Sequence, residues 1–231
     1  AWGYARAADQ CGVDIIQQCE VQGYLWENGK VVGVETTKGP IRANKVGLAV
    51  AGHSGHLATK AGLRLPIESH ALQAFVSEPL KPMVDTVISY GAAHFYISQS
   101  DKGGLVMGGD LDGYNSYAQR GGLPIVEHSM ACAKALVPSI SRLRLLRHWA
   151  GIMDMSMDGS PFITKTSIDG LYLNGGWCYG GFKATPASGW NFAWLLAKDE
   201  PHEEAAEFTL DRFERGYQID EKGVGPQPNA H

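Results

Sequence analysis

The stretch 171–186, LYLNGGWCYGGFKATP, decides how this chain folds. An apolar run, Leu171-Tyr172-Leu173, leads into four glycines, Gly175, Gly176, Gly180 and Gly181, that fall within seven positions. Lys183 comes next, followed by a helix-like pattern over 187–197. Strand, glycine turn and helix in that order belong to an α/β architecture. Glycine lets a backbone approach a flat ligand closely with its amide N–H groups aimed at it. The helix start adds positive partial charge at the same spot. The segment therefore reads as a clamp for a flat ring system and a small carboxylate, or equally as a plain strand-to-helix turn; spacing does not separate the two.

Working outward, residues 2–11 read as the end of an amphipathic helix stopped by Gly12, and 13–21 as a strand. A hairpin follows, 23–26 against 31–34, with Asn28-Gly29 supplying the turn chemistry. A second turn at 38–40 precedes a strand over 46–51, closed by Gly52-His53-Ser54 and a helix near 54–62. Between Pro66 and Thr166 the texture changes to strands at 67–77, 94–99, 104–109 and 160–165, with one helix near 125–137. That block suits a mostly antiparallel sheet covered by a helix. A last helix is expected over 203–216.

The 231 residues, 44% hydrophobic and 19% charged, suffice for one large domain or two interleaved ones. A net charge of −4 argues against a nucleic-acid partner bound through basic patches. No apolar run approaches the roughly 20 residues of a membrane span. Cys11, Cys19, Cys132 and Cys178 lack C-x-x-C spacing, so neither a zinc site nor a disulfide framework is suggested, and a reduced, cytoplasmic setting is expected. The opening AWGYARAADQCG lacks Met and starts inside a helix-like pattern, which reads as a piece of a longer chain.

Other motifs carry less. No G-x-G-x-x-G pyrophosphate fingerprint occurs. His53 and His56 lie three apart without a Cys or acidic companion, so the metal reading is the weaker one. Arg142, Arg144 and Arg147 form a basic run, either a solvated face or an anion site, and Lys102 in its Gly-containing turn has the same two readings. Met153, Met155 and Met157 alternate like a strand face and suit packing. No hydrolase triad or glycosidase carboxylate pair stands out.

Taken jointly, Lys102–Gly108 (KGGLVMG), Arg147–Ile152 (RHWAGI), Met157–Ile163 (MDGSPFI) and Gly175–Pro186, with Ala1–Arg6, Val13–Val21 and Ala51–Ser54, resemble the β subunits of heterotetrameric sarcosine oxidases, within the D-amino-acid-oxidase-like flavoproteins. The resemblance runs through essentially the whole chain. It implies half of a two-dinucleotide-binding FAD domain, residues 1–65 and 167–218, wrapped around an inserted antiparallel substrate domain, 66–166, with a flexible tail at 219–231. It also implies FAD-dependent oxidation of sarcosine to glycine and a one-carbon unit, released as formaldehyde or passed to tetrahydrofolate. Electrons would pass by FMN to oxygen, giving hydrogen peroxide. The partners would be α, γ and δ subunits.

Carried over by position, the resemblance makes Lys183 the carboxylate-binding and catalytic residue beside FAD, with Val21, Cys178 and Gly181 as further FAD contacts. It makes Lys102 and Arg147 the basic residues near FMN, with no metal. Cys178 stands where glycine is usual. The histidine that would carry FMN covalently, and the N-terminal FAD fingerprint, would precede Ala1. Two rivals remain: another secondary-amine dehydrogenase, for dimethylglycine, proline or hydroxyproline, and a flavin-free scaffold subunit.

Overall fold

The computed structural model describes residues 1–219. The chain opens with α1 (Trp2–Gln10). Gly12, at φ +84°, stops it: its N–H donates to Asp9 O, and Val13 N–H reaches back to Ala8 O. The expected strand over 13–21 does not form, and only Val21 joins a ladder. Among the described residues no strand lies beside 13–20, so its amides have no ladder to enter and Val13, Ile15 and Ile16 stay exposed.

β1 (Val21–Glu27), β2 (Lys30–Thr36) and β3 (Gly39–Arg42) form an antiparallel meander. Its first turn is the expected one, with Asn28 at φ +52° and Gly29 at +79°, the paired positive values of a tight hairpin. β4 (Val46–Leu48) is shorter than the 46–51 expected, because Ala51 adopts φ +46° and opens a single 3-10 turn over 51–53. α2 (Ser54–Lys60) follows directly.

The middle of the chain builds a five-stranded antiparallel sheet. Its strands are β5 (Ile67–Pro79), β6 (Ile88–Tyr90), β7 (Phe95–Gln99), β8 (Gly104–Leu111) and, after α3 (Leu123–Leu136), β9 (Leu145–Ser156). The order is β6-β7-β8-β5-β9, which puts the 13-residue β5 between β8 and β9. α3 covers one face, where Ala133 and Ile140 pack on Phe95, Ile97, Leu105 and Met107. β9 reaches well beyond the strand face marked by Met153 and Met155: the arginine run 142–147 leads into it as well, with Arg147 opposite Val76. The packing reading of the methionines holds for buried Met153 but not for Met157, which lies past the strand and is 67% exposed.

β10 (Phe162–Lys165) and β11 (Leu171–Gly175) pair antiparallel, and β11 runs parallel to β4. α4 (Gly181–Lys198) starts six residues before the expected helix and packs Phe192 and Leu195 on Ile163 and Tyr172. The helix expected over 203–216 is replaced by two 3-10 turns, 203–205 and 210–212. Thr209 is extended (φ −92°, ψ 158°) and Phe208 O accepts from Ile163 N at 2.9 Å, so the backbone there is drawn to a neighbouring strand instead of its own helix. A central core of Tyr24, Val31, Leu48, Leu57, Phe162, Leu171 and Leu173 joins the meander, α2 and the β10-β11-β4 sheet. Among the described residues no helix is long and apolar enough to cross a membrane. The tail beyond Ile219 lies outside the described residues.

Candidate functional site

β11 ends at Gly175, the loop 176–180 follows, and α4 begins at Gly181. Neighbouring elements hold that loop in place. Asp154 of β9 is buried; its Oδ2 accepts from Gly176 N at 2.6 Å and its backbone oxygen from Cys178 N at 3.0 Å. Burial pushes the Asp154 carboxyl up, and its hydrogen bonds to backbone amides offset only part of that. Cys178 is buried at φ +49°, a conformation that favours glycine. Its Sγ accepts from Ser156 N at 3.4 Å and lies 3.5 Å from Ser156 Oγ, and burial pushes the thiol up. Trp177 Nε1 donates to Asn174 Oδ1 at 2.7 Å.

The four glycines divide in two. A Cβ on Gly175 would meet Ser54 Oγ at 3.0 Å, and one on Gly176, at φ +75°, would meet the Phe162 ring at 2.8 Å. The first pair therefore serves the protein's own packing, as the plain-turn reading holds. Gly180 and Gly181 are only half-buried and crowd nothing but Trp177. They introduce a helix end without a side-chain cap and without an acidic residue in its first turn. Phe182 is 94% exposed, and Lys183 is exposed with no ion pair among the described residues. The amides of Gly176, Cys178 and Gly180 are spent within the protein, on Asp154 and on Trp177 O, so the outward-facing donors are the first-turn amides of the uncapped 18-residue helix together with the lysine, a set suited to an anionic or carbonyl-bearing ligand.

The other expected site residues lie elsewhere. Val21 opens β1, opposite Thr36, where the sequence reading had it ending a strand. Arg147 is exposed on β9, and Lys102 is exposed in the turn entering β8. Val76 pairs with both Arg147 and Val106, so both basic residues belong to one end of the five-stranded sheet. His53 and His56 flank Tyr117, with ring centroids 5.8 and 6.3 Å away. Among the described residues no three potential ligands gather around a metal position.

Sequence reasoning missed a set of buried polar side chains on this sheet. Fully buried Gln73 donates to Asp112 Oδ1 at 2.8 Å, which leaves its Oε1 to accept from His148 Nε2 at 2.8 Å. His148 stacks on Phe75 at 4.8 Å. Gly121 presses on this chain so closely that a Cβ there would run into His148 Nε2 and Gln73 Oε1. Asp110, also buried, sits among His94, His128 and Tyr179. Polar residues placed singly within apolar strands were the available signal, and only pairing shows which of them meet.

A family model described as FAD dependent oxidoreductase matches residues 1–195. Across its full length the chain is 68% identical to the sarcosine oxidase subunit beta of Rhizobium meliloti (strain 1021), spanning 56% of that protein. It is 52% identical over 224 residues, 97% of its length, to the sarcosine oxidase subunit beta of Arthrobacter sp, spanning 55% of it. In three dimensions it is similar to L-proline dehydrogenase from P. horikoshii, with a TM-score of 0.81 at 28% identity over 94% of this chain and 60% of that one. The chain spans little more than half the length of the curated relatives it matches.

Proposed function

The chain belongs to the FAD-dependent oxidoreductase family, and on that premise we propose that it forms part of the β subunit of a sarcosine oxidase. The observation that carries the reading is the outward-facing start of α4, uncapped, without acidic residues in its first turn, and bearing Lys183, which has no ion pair among the described residues, beside Gly180-Gly181. Similarity to two relatives bearing that name, at 68% and 52% identity, supports it.

These residues fit FAD. Gly181 N–H and the other first-turn amides of α4 are donors for the polar edge of the flavin ring, while a side chain at Gly180 or Gly181 would narrow the approach. Cys178 presents its backbone in the same loop, and Val21 offers its own toward the adenosine part. When bound, FAD supplies the acceptor for a hydride from the N-methyl carbon. Lys183 holds the substrate carboxylate as a point charge and so aims that carbon. The Asp154 hydrogen bonds keep the loop from shifting as substrate enters.

In the complete protein, Lys102 and Arg147 would hold an FMN, which would supply the path for electrons to oxygen and so to hydrogen peroxide. The carbon leaves as formaldehyde or methylene-tetrahydrofolate. The α, γ and δ subunits complete the assembly, in the cytoplasm. The division into FAD-binding residues 1–65 and 167–218 and a substrate block 66–166 belongs to the same proposal. A second reading, oxidation of a different secondary amine such as proline, is favoured by the likeness to L-proline dehydrogenase. The test is the visible spectrum of the full-length protein with its neighbouring subunits, then turnover of sarcosine, dimethylglycine and proline. Flavin bands with sarcosine as the best substrate are expected. Preference for proline would move the assignment to the second reading, and a colourless protein would make the chain a scaffold.

A further inference from the structure

Beside the glycine loop lies a carboxylate that the carboxylate-binding role of Lys183 leaves unused. Asp110, on β8, is 7% exposed. Its Oδ1 accepts from Leu111 N at 2.9 Å. Around it stand His94 Nδ1 at 3.9 Å, on the turn before β7, and His128 Nε2 at 3.8 Å, on α3, both beyond hydrogen-bond length. A carboxylate has about four acceptor sites; among the described residues Asp110 accepts one hydrogen bond and has the two imidazoles at ion-pair distance, which leaves acceptor capacity for a further donor. Tyr179, in the glycine loop itself, sets its ring edge-on to His94 at 6.3 Å. Burial and then the Asp110 charge push its phenol up to about 12. Cys132 completes the surroundings, its Sγ 3.7 Å from His128 Nε2 and its thiol pushed up by burial and by Asp110. Close packing makes this possible: Gly109, at φ +124°, has no room for a Cβ against His94 O.

The cluster is therefore a nearly buried anion with a half-exposed imidazole and phenol rim, joined through Tyr179 to the loop that leads to Lys183. We infer that Asp110, ringed by His94, His128 and Tyr179, is the subsite that takes the substrate's ammonium group and receives its proton. This rests on the amine-oxidising reading above. An aliphatic amine is a cation near neutral pH, and its nitrogen lone pair must be freed before the adjacent C–H bond can be oxidised. One N–H bond of the ammonium breaks, one O–H bond forms on Asp110, and the electron pair stays on nitrogen. A cation and an anion thereby become two neutral groups, which suits a site nearly closed to water. The imidazoles, open to solvent on one side, carry the proton away.

The test uses the full-length enzyme assembled with its partner subunits, with Asp110→Asn as the first variant. Flavin content should match the unaltered enzyme while kcat/KM for sarcosine at neutral pH falls about 100-fold or more and the acid limb of its pH profile moves up toward the ionisation of the free amine, which must then arrive already deprotonated. Affinity for butanoate, which keeps the carboxylate but replaces nitrogen by carbon, should stay within about twofold by perturbation of the flavin bands, because Lys183 still holds it. Asp110→Glu should restore part of the activity and return the acid limb to lower pH. An unchanged pH profile in Asp110→Asn, or equal loss of sarcosine turnover and butanoate binding, overturns the inference. If Asp110→Asn fails to hold flavin, the double variant His94→Gln, His128→Gln decides, with a displaced acid limb supporting the inference and an unmoved one overturning it. An unaltered enzyme that holds flavin but oxidises no secondary amine overturns the reading of the whole site instead.

Discussion

At the scale of single residues, Lys183 and the glycines before it do different work. In the full-length protein Lys183→Met is expected to leave flavin bound and to cost about 1.5–3 kcal/mol of charge-assisted contact with the substrate carboxylate. That is roughly a ten- to hundred-fold loss in kcat/KM, shared between kcat and KM because orientation suffers too. Steady-state kinetics with the flavin spectrum as control measures it, and unchanged kinetics would remove Lys183 from the site. Gly176→Ala is a packing experiment. Its φ of +75° and the Phe162 ring 2.8 Å from a new Cβ should cost about 1–3 kcal/mol, read as a lower Tm. Gly189→Ala in α4, where nothing lies within 4 Å, should instead stabilise by about 0.5–1 kcal/mol. The glycine cluster was legible in the sequence as a turn, but not this division of labour. That depends on Ser54 and Phe162, which are distant in the chain and arrive only through the β10-β11-β4 sheet and its core.

At the scale of elements, β9 contributes most that is new. It carries Asp154 and Ser156 to the glycine loop at one end and Arg147 toward the turn of Lys102 at the other. Arg147→Ala and Lys102→Ala are expected to lower FMN content while FAD stays bound, since Arg offers phosphate a bidentate fork and Lys a point charge. Flavins extracted after denaturation and measured separately give the answer, and equal loss of both would indicate misfolding. Only the methionine alternation at the end of β9 was legible as a strand face; its first residues, with Arg147 and His148 among Leu and Trp, show no single-faced apolar pattern, so its length was not legible. Where the pattern was local, as in the Asn28-Gly29 hairpin or the Gly12 stop of α1, expectation and structure agree. Where a strand needs a neighbour, as in 13–20, pattern alone misleads.

At the scale of the whole molecule, one buried ion pair ties the last described turns to the core. Arg212, 0% exposed, donates to Asp158 Oδ2 at 2.8 Å and Oδ1 at 2.7 Å, and to the carbonyls of Ser160 and Pro161. Its guanidinium lies 4.0 Å from the Phe162 ring centre and 4.8 Å from that of Phe213. Arg212→Met, which strands Asp158, should cost about 3–5 kcal/mol. Burial pushes the Asp158 carboxyl up, but the Arg212 hydrogen bonds, the amides of Ile219 and Ser160, and the Arg212 charge outweigh it and hold the group below its usual range. A carboxyl lowered in the folded state contributes stability above its unfolded value, about 3.9, and loses that contribution as pH falls through the lower folded value. The unaltered protein should therefore lose stability below about pH 4, and Arg212→Met should flatten that acid limb in a series of thermal melts. An acid limb of unchanged depth would assign the acid sensitivity to other carboxyls. Asp154 acts in the opposite sense: its raised carboxyl lowers stability as pH rises from the unfolded value toward the folded one.

The sequence by itself determined what short-range chemistry controls. The strand–glycine–helix order around 171–198, the hairpin, the change to antiparallel strands after Pro66 and the lysine at the helix start were legible because glycine φ preferences and side-chain periodicity act within a few residues. Its motifs also carried the resemblance to a flavoprotein family that the comparisons bear out. Only the tertiary structure decided which polar groups meet. Asp154 under the glycine loop, Asp110 among two histidines and Tyr179, and Arg212 on Asp158 join residues 16 to 69 positions apart in the chain. A buried charge or amide has no period of its own, so its partner is settled by strand register and layer packing, which long-range burial selects.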